Sequence, residues 1–146
     1  MGEWVKPASY GGVWYSDPTY SYDGDTGTFT YLTRENGFIL YPATFISCSK
    51  IRVWASVLNM ANADLTVSVY YSGAYHEIFD GALSTHIDWQ EMSIGSTQTI
   101  ENVRIVPHHI TLSDCLHELE FWKEAEAPTV VYGDGALKVT RNFQCF

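Results

Sequence analysis

The residues best suited to binding a ligand or a metal ion lie in one short acidic loop, residues 23–28, which read Asp-Gly-Asp-Thr-Gly-Thr. Hard cations such as Ca²⁺ take about six to eight oxygen ligands, and alternating acids with glycine turns can supply several of them. The loop does not continue as an EF-hand, because the twelfth position counted from Asp23 is Arg34 rather than glutamate. The alternative is an ordinary turn in which the carboxylates accept hydrogen bonds from backbone N–H groups.

Aromatic side chains are the second group with a chemical role. They make up 15% of the chain, with ten tyrosines, seven phenylalanines and five tryptophans. Such rings fill protein cores, and exposed ones stack on sugars, bases or protein partners.

The histidines His108 and His109 are adjacent, so on an extended chain they point apart, and no third metal ligand stands at a recognisable spacing. We therefore expect a surface or interface role for that pair, and structural roles for His76 and His117.

Motifs of catalysis do not occur in the sequence. There is no nucleophile elbow, P-loop, HExxH zinc motif or Cys/His nucleophile context. A glycosidase needs two carboxylates at a fixed separation across a cleft, which the many acids permit but the sequence does not reveal. We expect a protein that is not an enzyme, with a glycoside-active enzyme as the less favoured alternative.

Charge and composition exclude several classes of partner. The 146 residues carry 17 acidic and 8 basic side chains, a formal net charge of −9, which would repel nucleic acid and anionic membrane surfaces. No apolar run is long enough to span a bilayer. Cys48, Cys115 and Cys145 are too scattered for a disulfide framework, so we expect buried free thiols, with one bridge as the alternative.

The elements that must position these residues are strands. Apolar and polar side chains alternate in residues 49–57 and 65–71, which gives each run one buried face. Further strand-like runs are residues 28–33, 37–41, 74–79, 89–94, 100–106 and 116–123. Turn residues separate them, and no window of a dozen residues forms a convincing amphipathic helix. The spacing predicts an all-β chain, either a sandwich or a barrel.

The chain divides into three parts. Residues 1–19 are expected to form an N-terminal arm within an irregular, aromatic-rich segment that reaches residue 27, and residues 20–123 form the main β-domain. After a linker-like break at 124–128, two short runs, 129–132 and 136–141, flank a Gly-Asp-Gly turn, which predicts a hairpin. This C-terminal extension, residues 124–146, either closes the domain or serves as an arm that docks on another chain.

Five short motifs occur in an order that resembles discoidin-type, galactose-binding-like domains over roughly residues 20–123. They are residues 22–26, 50–54, 67–75, 103–105 and 116–122, which resemble the family's A-x-D-G-x-x-x-T loop, I-x-x-I-R-I strand, V-x-x-S-x-D-G-x-W hairpin, a-R-Y-I-R strand and closing i-s-E-I-E-V-W-G strand. The chain departs from the pattern at residues 27–31, where the family has a strand and a tryptophan, and from residue 124 onward.

The resemblance implies a jelly-roll antiparallel β-sandwich, here with a C-terminal β-hairpin extension. Most members bind glycans, lipid head groups or proteins without catalysing a reaction. Similar domains hold a structural Ca²⁺ between this loop and the first glutamate of the closing strand. Carried over residue by residue, the metal ligands are Asp23, Asp25, Thr26 and Glu118.

Ligands of the resembling domains bind in loops at one end of the sandwich. The aromatic candidates here are Tyr20, Tyr22, Tyr31, His86 and Trp89, with Arg34 and Asn36 as polar partners. Pyranose rings stack on such side chains while neighbouring polar groups bind the hydroxyls. The alternative is that Trp89 and Tyr31 plug the ends of the sandwich. Trp54 and Trp122 are assigned to core or edge packing.

Two functions follow as expectations. The first is a carbohydrate-binding module that grips a glycan or cell-surface ligand through loop aromatics. The second is a virion structural protein (a capsid decoration, head-fibre or tail component) that acts by assembly with other subunits, including copies of itself. The absence of a signal peptide, the extra hairpin and the Phe-containing end at 142–146 favour the second. Either way we expect cytoplasmic synthesis and an extracellular or virion-surface location.

Overall fold

A computed structural model describes residues 2–12, 14, 16–32, 38–58, 60–109 and 114–125, and the backbone alone of 130–133 and 136–139. Every regular element in these ranges is a β-strand, apart from one 3₁₀ turn at Pro18–Ser21. None of them is a helix that could cross a membrane. The strands are β1 (Glu3–Val5), β2 (Ser9–Gly11), β3 (Thr30–Tyr31), β4 (Phe38–Tyr41), β5 (Ile46–Val57), β6 (Ala61–Asn62), β7 (Asp64–Tyr71), β8 (Ala74–Ala82), β9 (Gln90–Ile100), β10 (Asn102–Pro107), β11 (Cys115–Lys123), β12 (Val130–Gly133) and β13 (Ala136–Val139).

Two antiparallel sheets face each other as a sandwich. The first sheet has the order β1-β11-β5-β6, with β3 also paired to β11 and β9 also paired to β5. The second sheet has the order β2-β4-β10-β7-β8. This architecture confirms the predicted all-β class, and it decides for the sandwich against the barrel.

Alternation along the strands builds the core between the sheets. Ile51, Val53 and Ala55 of β5 are fully buried, and so are their counterparts Leu65 and Val67 in β7 of the other sheet. Each large side chain of this kind contributes roughly 2 kcal/mol to folding when it leaves water. The residues between them in β5 therefore point away from the core, onto the outer face of the first sheet.

The structure corrects the expected irregular segment at residues 1–27 in two places. Trp4 pairs with Trp122 through β1, and Tyr10 pairs with Leu40 through β2, so each short strand lies at the edge of a sheet. The expected turn after residue 94 is also absent, because β9 continues through Gly95, which adopts a positive φ of 97°. The strands β1 and β2 were not predicted because a strand of three residues has too little periodicity to be found from sequence.

The C-terminal hairpin is confirmed. Val130 pairs with Val139 and Gly133 with Ala136, in a two-stranded sheet of their own. Among the residues that the structure describes, neither strand pairs with a strand of the sandwich.

Two of the cysteines are buried without a disulfide, as predicted. Cys48 lies in β5, where burial raises the pKa of its thiol to about 11, and Cys115 begins β11. Cys145 lies outside the described residues, so the state of its thiol stays a prediction.

Candidate functional site

The acidic loop folds over the outer face of the first sheet, above Glu118. This glutamate is 1% exposed, and its Oε2 accepts a hydrogen bond of 3.0 Å from the backbone N–H of Gly24. Its second oxygen, Oε1, has no hydrogen-bond partner in the described part of the chain. Gly24 has a φ of 84°, a left-handed conformation that favours glycine, and an added Cβ there would stand 2.5 Å from Lys6 Nζ.

Hydrogen bonds within the loop set its shape. Asp23 accepts one from the backbone N–H of Asp25 at 2.9 Å and another from the hydroxyl of Thr28. Asp25 closes its own turn by accepting from the N–H of Gly27 at 2.7 Å. Thr26 presents its main-chain carbonyl to His117 at 2.7 Å. The hydroxyl beside Asp23 thus belongs to Thr28, which the five-residue spacing from Asp to Thr in the A-x-D-G-x-x-x-T pattern would have identified.

His117 fastens this loop to the sheet. The imidazole is fully buried, donates through Nδ1 to the carbonyl of Thr26, and lies 2.9 Å from the hydroxyl of Ser56 through Nε2. Burial lowers its pKa, so the ring is neutral and Nε2 accepts from Ser56. The register of β11 shifts between Leu116 and Glu118. At this bulge two consecutive side chains, His117 and Glu118, both hydrogen-bond to the loop. The structural role expected for His117 agrees with these contacts.

Two carboxyl groups, those of Asp23 and Glu118, meet under the loop. Burial, followed by the hydrogen bond and the charge of Asp23, raises the pKa of Glu118 to about 8, although the Gly24 N–H and Lys6 act in the opposite direction. For Asp23, hydrogen bonds from Thr28 and Asp25 outweigh burial and hold its pKa below the ordinary value. At neutral pH Glu118 is therefore largely protonated and donates to ionised Asp23.

The donor chemistry of this site suits an oxygen-ligated cation. Asp23 offers a carboxylate, Glu118 an unpartnered oxygen, and the main chain at Thr26 a carbonyl. No cluster of three or more Asp, Glu, His or Cys side chains suited to a metal occurs in the described ranges. Any bound ion would thus depend on backbone and hydroxyl oxygens beside the two carboxylates.

Next to this loop, four tryptophans lie on the same outer sheet face. These four rings, together with the two basic and two acidic side chains among them, form what we call the tryptophan face. Its members are Trp4, Lys50, Arg52, Trp54, Trp89, Glu91, Glu120 and Trp122. In β5 the outward members alternate with the buried Ile51 and Val53. Trp54 and Trp122, which the sequence assigned to core or edge packing, are partly exposed on this outer face and not in the core, and Trp122 packs on Trp4 of the edge strand β1.

Arg52 is the centre of the tryptophan face. Its guanidinium carbon lies 4.3 Å from the ring centre of Trp4 and 4.1 Å from that of Trp89, and its Nε donates to Glu120 at 2.8 Å. The ring of Trp54 meets Trp89 edge to face at 5.7 Å. Cation–π contacts of this kind hold aromatic rings in place.

A second cation sits at the other end of the same face. Lys50 Nζ lies 5.0 Å from the ring centre of Trp122 and 5.4 Å from that of Trp4, and it pairs with Glu91 at 3.0 Å. Trp4 and Trp122 meet edge to face at 5.1 Å. The face is thus one continuous row of rings and paired charges.

The other predicted ligand residues are dispersed. Tyr20 is 43% exposed in the 3₁₀ turn, Tyr22 packs against the core, and Tyr31 packs edge to face on Phe29 at 5.3 Å. His86 bonds through Nδ1 to Asn62 Oδ1 at 2.9 Å, in the loop that leads to Trp89. Positions 34 and 36, the arginine and asparagine expected as polar partners, lie outside the described residues.

The paired histidines hold different acids. His108 lies between Asp64, at 2.6 Å from Nδ1, and Asp80, at 3.3 Å from Nε2, whereas His109 bonds to Asp114 at 2.7 Å. The contacts of His108 lie at the surface, which agrees with the expected surface role, whereas His109 is half-buried and reaches the buried Asp114.

This geometry defines a class of fold. The molecule's fold is the β-sandwich found in solved carbohydrate-binding modules and F5/8 type C domains, which is the fold that the resemblance implied. The sequence itself matches no family model and no curated protein.

Several solved structures share this fold. A family 32 carbohydrate-binding module of AlyQ, in complex with 4,5-unsaturated mannuronic acid, is 11% identical with a TM-score of 0.67, over 82% of this chain and 97% of that one. A family 32 module from a family 31 glycoside hydrolase of Clostridium perfringens is 15% identical with a TM-score of 0.64, over 81% and 96%. An F5/8 type C domain from Bacteroides fragilis is 13% identical with a TM-score of 0.57, over 84% and 97%.

Proposed function

We propose that this protein is a non-catalytic carbohydrate-binding module whose glycan contacts Trp89. The observation that carries the proposal is that the ring of Trp89 is partly exposed and is held in place by contacts with Arg52 and Trp54. A fixed aromatic surface binds the C–H face of a sugar ring at little entropic cost.

Polar groups beside Trp89 are also held in place. His86 is bonded to Asn62, and Gln90 accepts from the backbone N–H of Ser84 at 2.8 Å. Sites for small polar ligands combine an apolar wall with a few fixed polar groups, as this one does. The neighbours named as carbohydrate-binding modules, one of them pectin-binding, support the same function.

A glycan array followed by calorimetry tests the proposal. Wild-type protein is expected to bind at least one glycan, and Trp89→Ala to weaken that binding about tenfold or more, since ring truncation at the centre of a contact costs above 1 kcal/mol. Tyr10→Ala is the matched control, because Tyr10 is an exposed aromatic residue (49%) on the second sheet. Equal binding by wild type and Trp89→Ala would contradict the proposal.

We also propose a structural Ca²⁺ held by Asp23 and Glu118, with Thr26 contributing its main chain. When bound, the ion would neutralise both carboxylates and hold the loop on the sheet. Thermal denaturation with CaCl₂ and with EDTA is the test, and the expected result is a higher melting temperature with calcium that Asp23→Asn abolishes. No shift in the wild type would rule the metal out.

A second candidate function is assembly with other subunits on a virus particle. The hairpin β12–β13 supports it, because in the described ranges its strands pair only with each other and not with the sandwich. Light scattering after size exclusion is the test. Removal of residues 124–146 is expected to turn an oligomer into a monomer, and a full-length chain that is already monomeric argues against self-assembly.

A further inference from the structure

The tryptophan face is larger than a site for one sugar around Trp89 requires. Four of the five tryptophans in the chain lie on it, at both ends of a row. Partly exposed aromatic rings gathered on one sheet face, rather than scattered, mark a contact surface. The row crosses from β1 through β11 and β5 to β9, which is three strand spacings or roughly 14 Å.

The charges of this face are arranged in opposite pairs. Arg52 is bonded to Glu120, and both side chains are mostly covered (23% and 12% exposed), so this pair positions the rings of Trp4 and Trp89. Lys50 and Glu91 are more open (36% and 54%) and lie beside each other. The accessible pair therefore offers a strong donor next to a strong acceptor.

Such a pair matches hydroxyl groups better than it matches a carboxylate. A hydroxyl both donates and accepts, so neighbouring hydroxyls of a sugar can bond to the ammonium and the carboxylate together. A uronate group would meet the unfavourable charge of Glu91 and of a chain with net charge −9. The face is complementary to a neutral chain of sugars.

We propose that the tryptophan face, from Trp122 to Trp89, binds one extended chain of a neutral polysaccharide, with Lys50 and Glu91 as partners of its hydroxyls. This inference rests on the proposed carbohydrate-binding function and deepens it by naming the ligand class and its path. A monosaccharide or disaccharide on Trp89 stops short of Trp122, whereas a polymer also covers Trp122.

Affinity electrophoresis tests the path and the ligand class together. The gels contain hydroxyethyl cellulose, xyloglucan or galactomannan as neutral polymers, and polygalacturonate or alginate as anionic ones. At least one neutral polymer is expected to retard the wild type more strongly than either anionic polymer. Trp122→Ala should weaken that retention about tenfold and Lys50→Met about threefold, while Tyr10→Ala leaves it unchanged.

A disaccharide from the retained polymer separates the inference from the function beneath it. In calorimetry Trp89→Ala is expected to lose the disaccharide, and Trp122→Ala to bind it like the wild type. If Trp122→Ala and Lys50→Met are retained by the polymer as the wild type is, the extended path is wrong, although binding at Trp89 stands. Stronger retention by polygalacturonate or alginate overturns the neutral ligand class.

Two further results complete the test. Absence of binding to every glycan contradicts the carbohydrate-binding function and this inference alike. If Trp122→Ala does not fold, Trp122→Phe keeps a ring in place and is expected to preserve most of the retention, and Lys50→Met then decides the path, because its side chain is 36% exposed and its loss leaves the core intact.

Discussion

The acidic loop and the tryptophan face lie side by side on one sheet, yet they handle charge in opposite ways. Under the loop, Asp23 and Glu118 bring two like groups together, and one oxygen of Glu118 has no partner among the described residues. On the tryptophan face, Arg52 and Lys50 each meet a glutamate and two aromatic rings. The loop is thus set to take up a proton or a cation, whereas the face is electrically balanced and suits an uncharged ligand.

The largest expected difference between the regions is a pH-dependent stability that belongs to the loop. The pKa of Glu118 is about 8 in the folded protein and 4.5 without its surroundings, so the folded state holds the extra proton. Stability from this group is full below about pH 4.5 and declines as pH rises towards 8, by up to about 1.4 kcal/mol per pH unit. Denaturant titrations in EDTA between pH 5 and 9 measure it.

Glu118→Gln is the matched control for that pH dependence. The amide can still donate to Asp23 and accept from Gly24, but it does not titrate. A flat profile in this variant beside a falling one in the wild type is expected. If both profiles fall equally, the proton belongs to another group.

On the tryptophan face the largest effect is expected from Arg52→Ala. The substitution leaves the covered Glu120 without its ion-pair partner and removes the guanidinium that contacts both Trp4 and Trp89, so we expect a loss of about 2 kcal/mol in the free energy of unfolding. Urea denaturation measures it. Arg52→Lys keeps the charge but not the planar group, and a variant as stable as the wild type would show that the stacking contributes nothing.

Gly24→Ala tests the backbone of the loop. The φ of 84° is strained for any residue with a Cβ, so a loss of about 1 kcal/mol is expected, and Lys6 must also move. Gly73→Ala, a turn glycine at φ 80° with open space around it, serves as the comparison. A larger loss at Gly24 than at Gly73 would show that the contact with Lys6 matters beyond φ.

The smallest effect belongs to the exposed ion pair of the tryptophan face. Lys50→Met should change stability by less than about 0.5 kcal/mol, because both partners are open to solvent and screened by salt. A loss well above 1 kcal/mol in thermal or urea unfolding would mean that Lys50 supports the tryptophan rings structurally.

Sequence reasoning found most of the sandwich and only part of the two sites. The alternation around Ile51 and Leu65 was enough for β5 and β7, since one buried face repeats over eight residues or more. It missed β1, and with it Trp4, because three residues give no period. The neighbours that brace Trp89 come from strands distant in sequence, and only the sheet register brings them together.

The acidic loop shows the same limit. The prediction that this loop approaches Glu118 came from a family resemblance and not from spacing, since 94 residues separate Gly24 from that glutamate. The bulge that allows His117 to reach Thr26 leaves no mark in the sequence pattern.

The pairing of Glu3 with Lys123 has a practical consequence for protein engineering. Directly paired positions of antiparallel strands stand about 5 Å apart, so a linker of a few glycines could join these two points into a closed loop. The polypeptide could then be reopened at the exposed tight turn of Ser72 and Gly73, which yields a circularly permuted protein that keeps both sheets of the sandwich and lacks the hairpin β12–β13. Its new termini would lie at a hairpin of the second sheet, on the layer opposite the tryptophans, which frees that surface for immobilisation experiments.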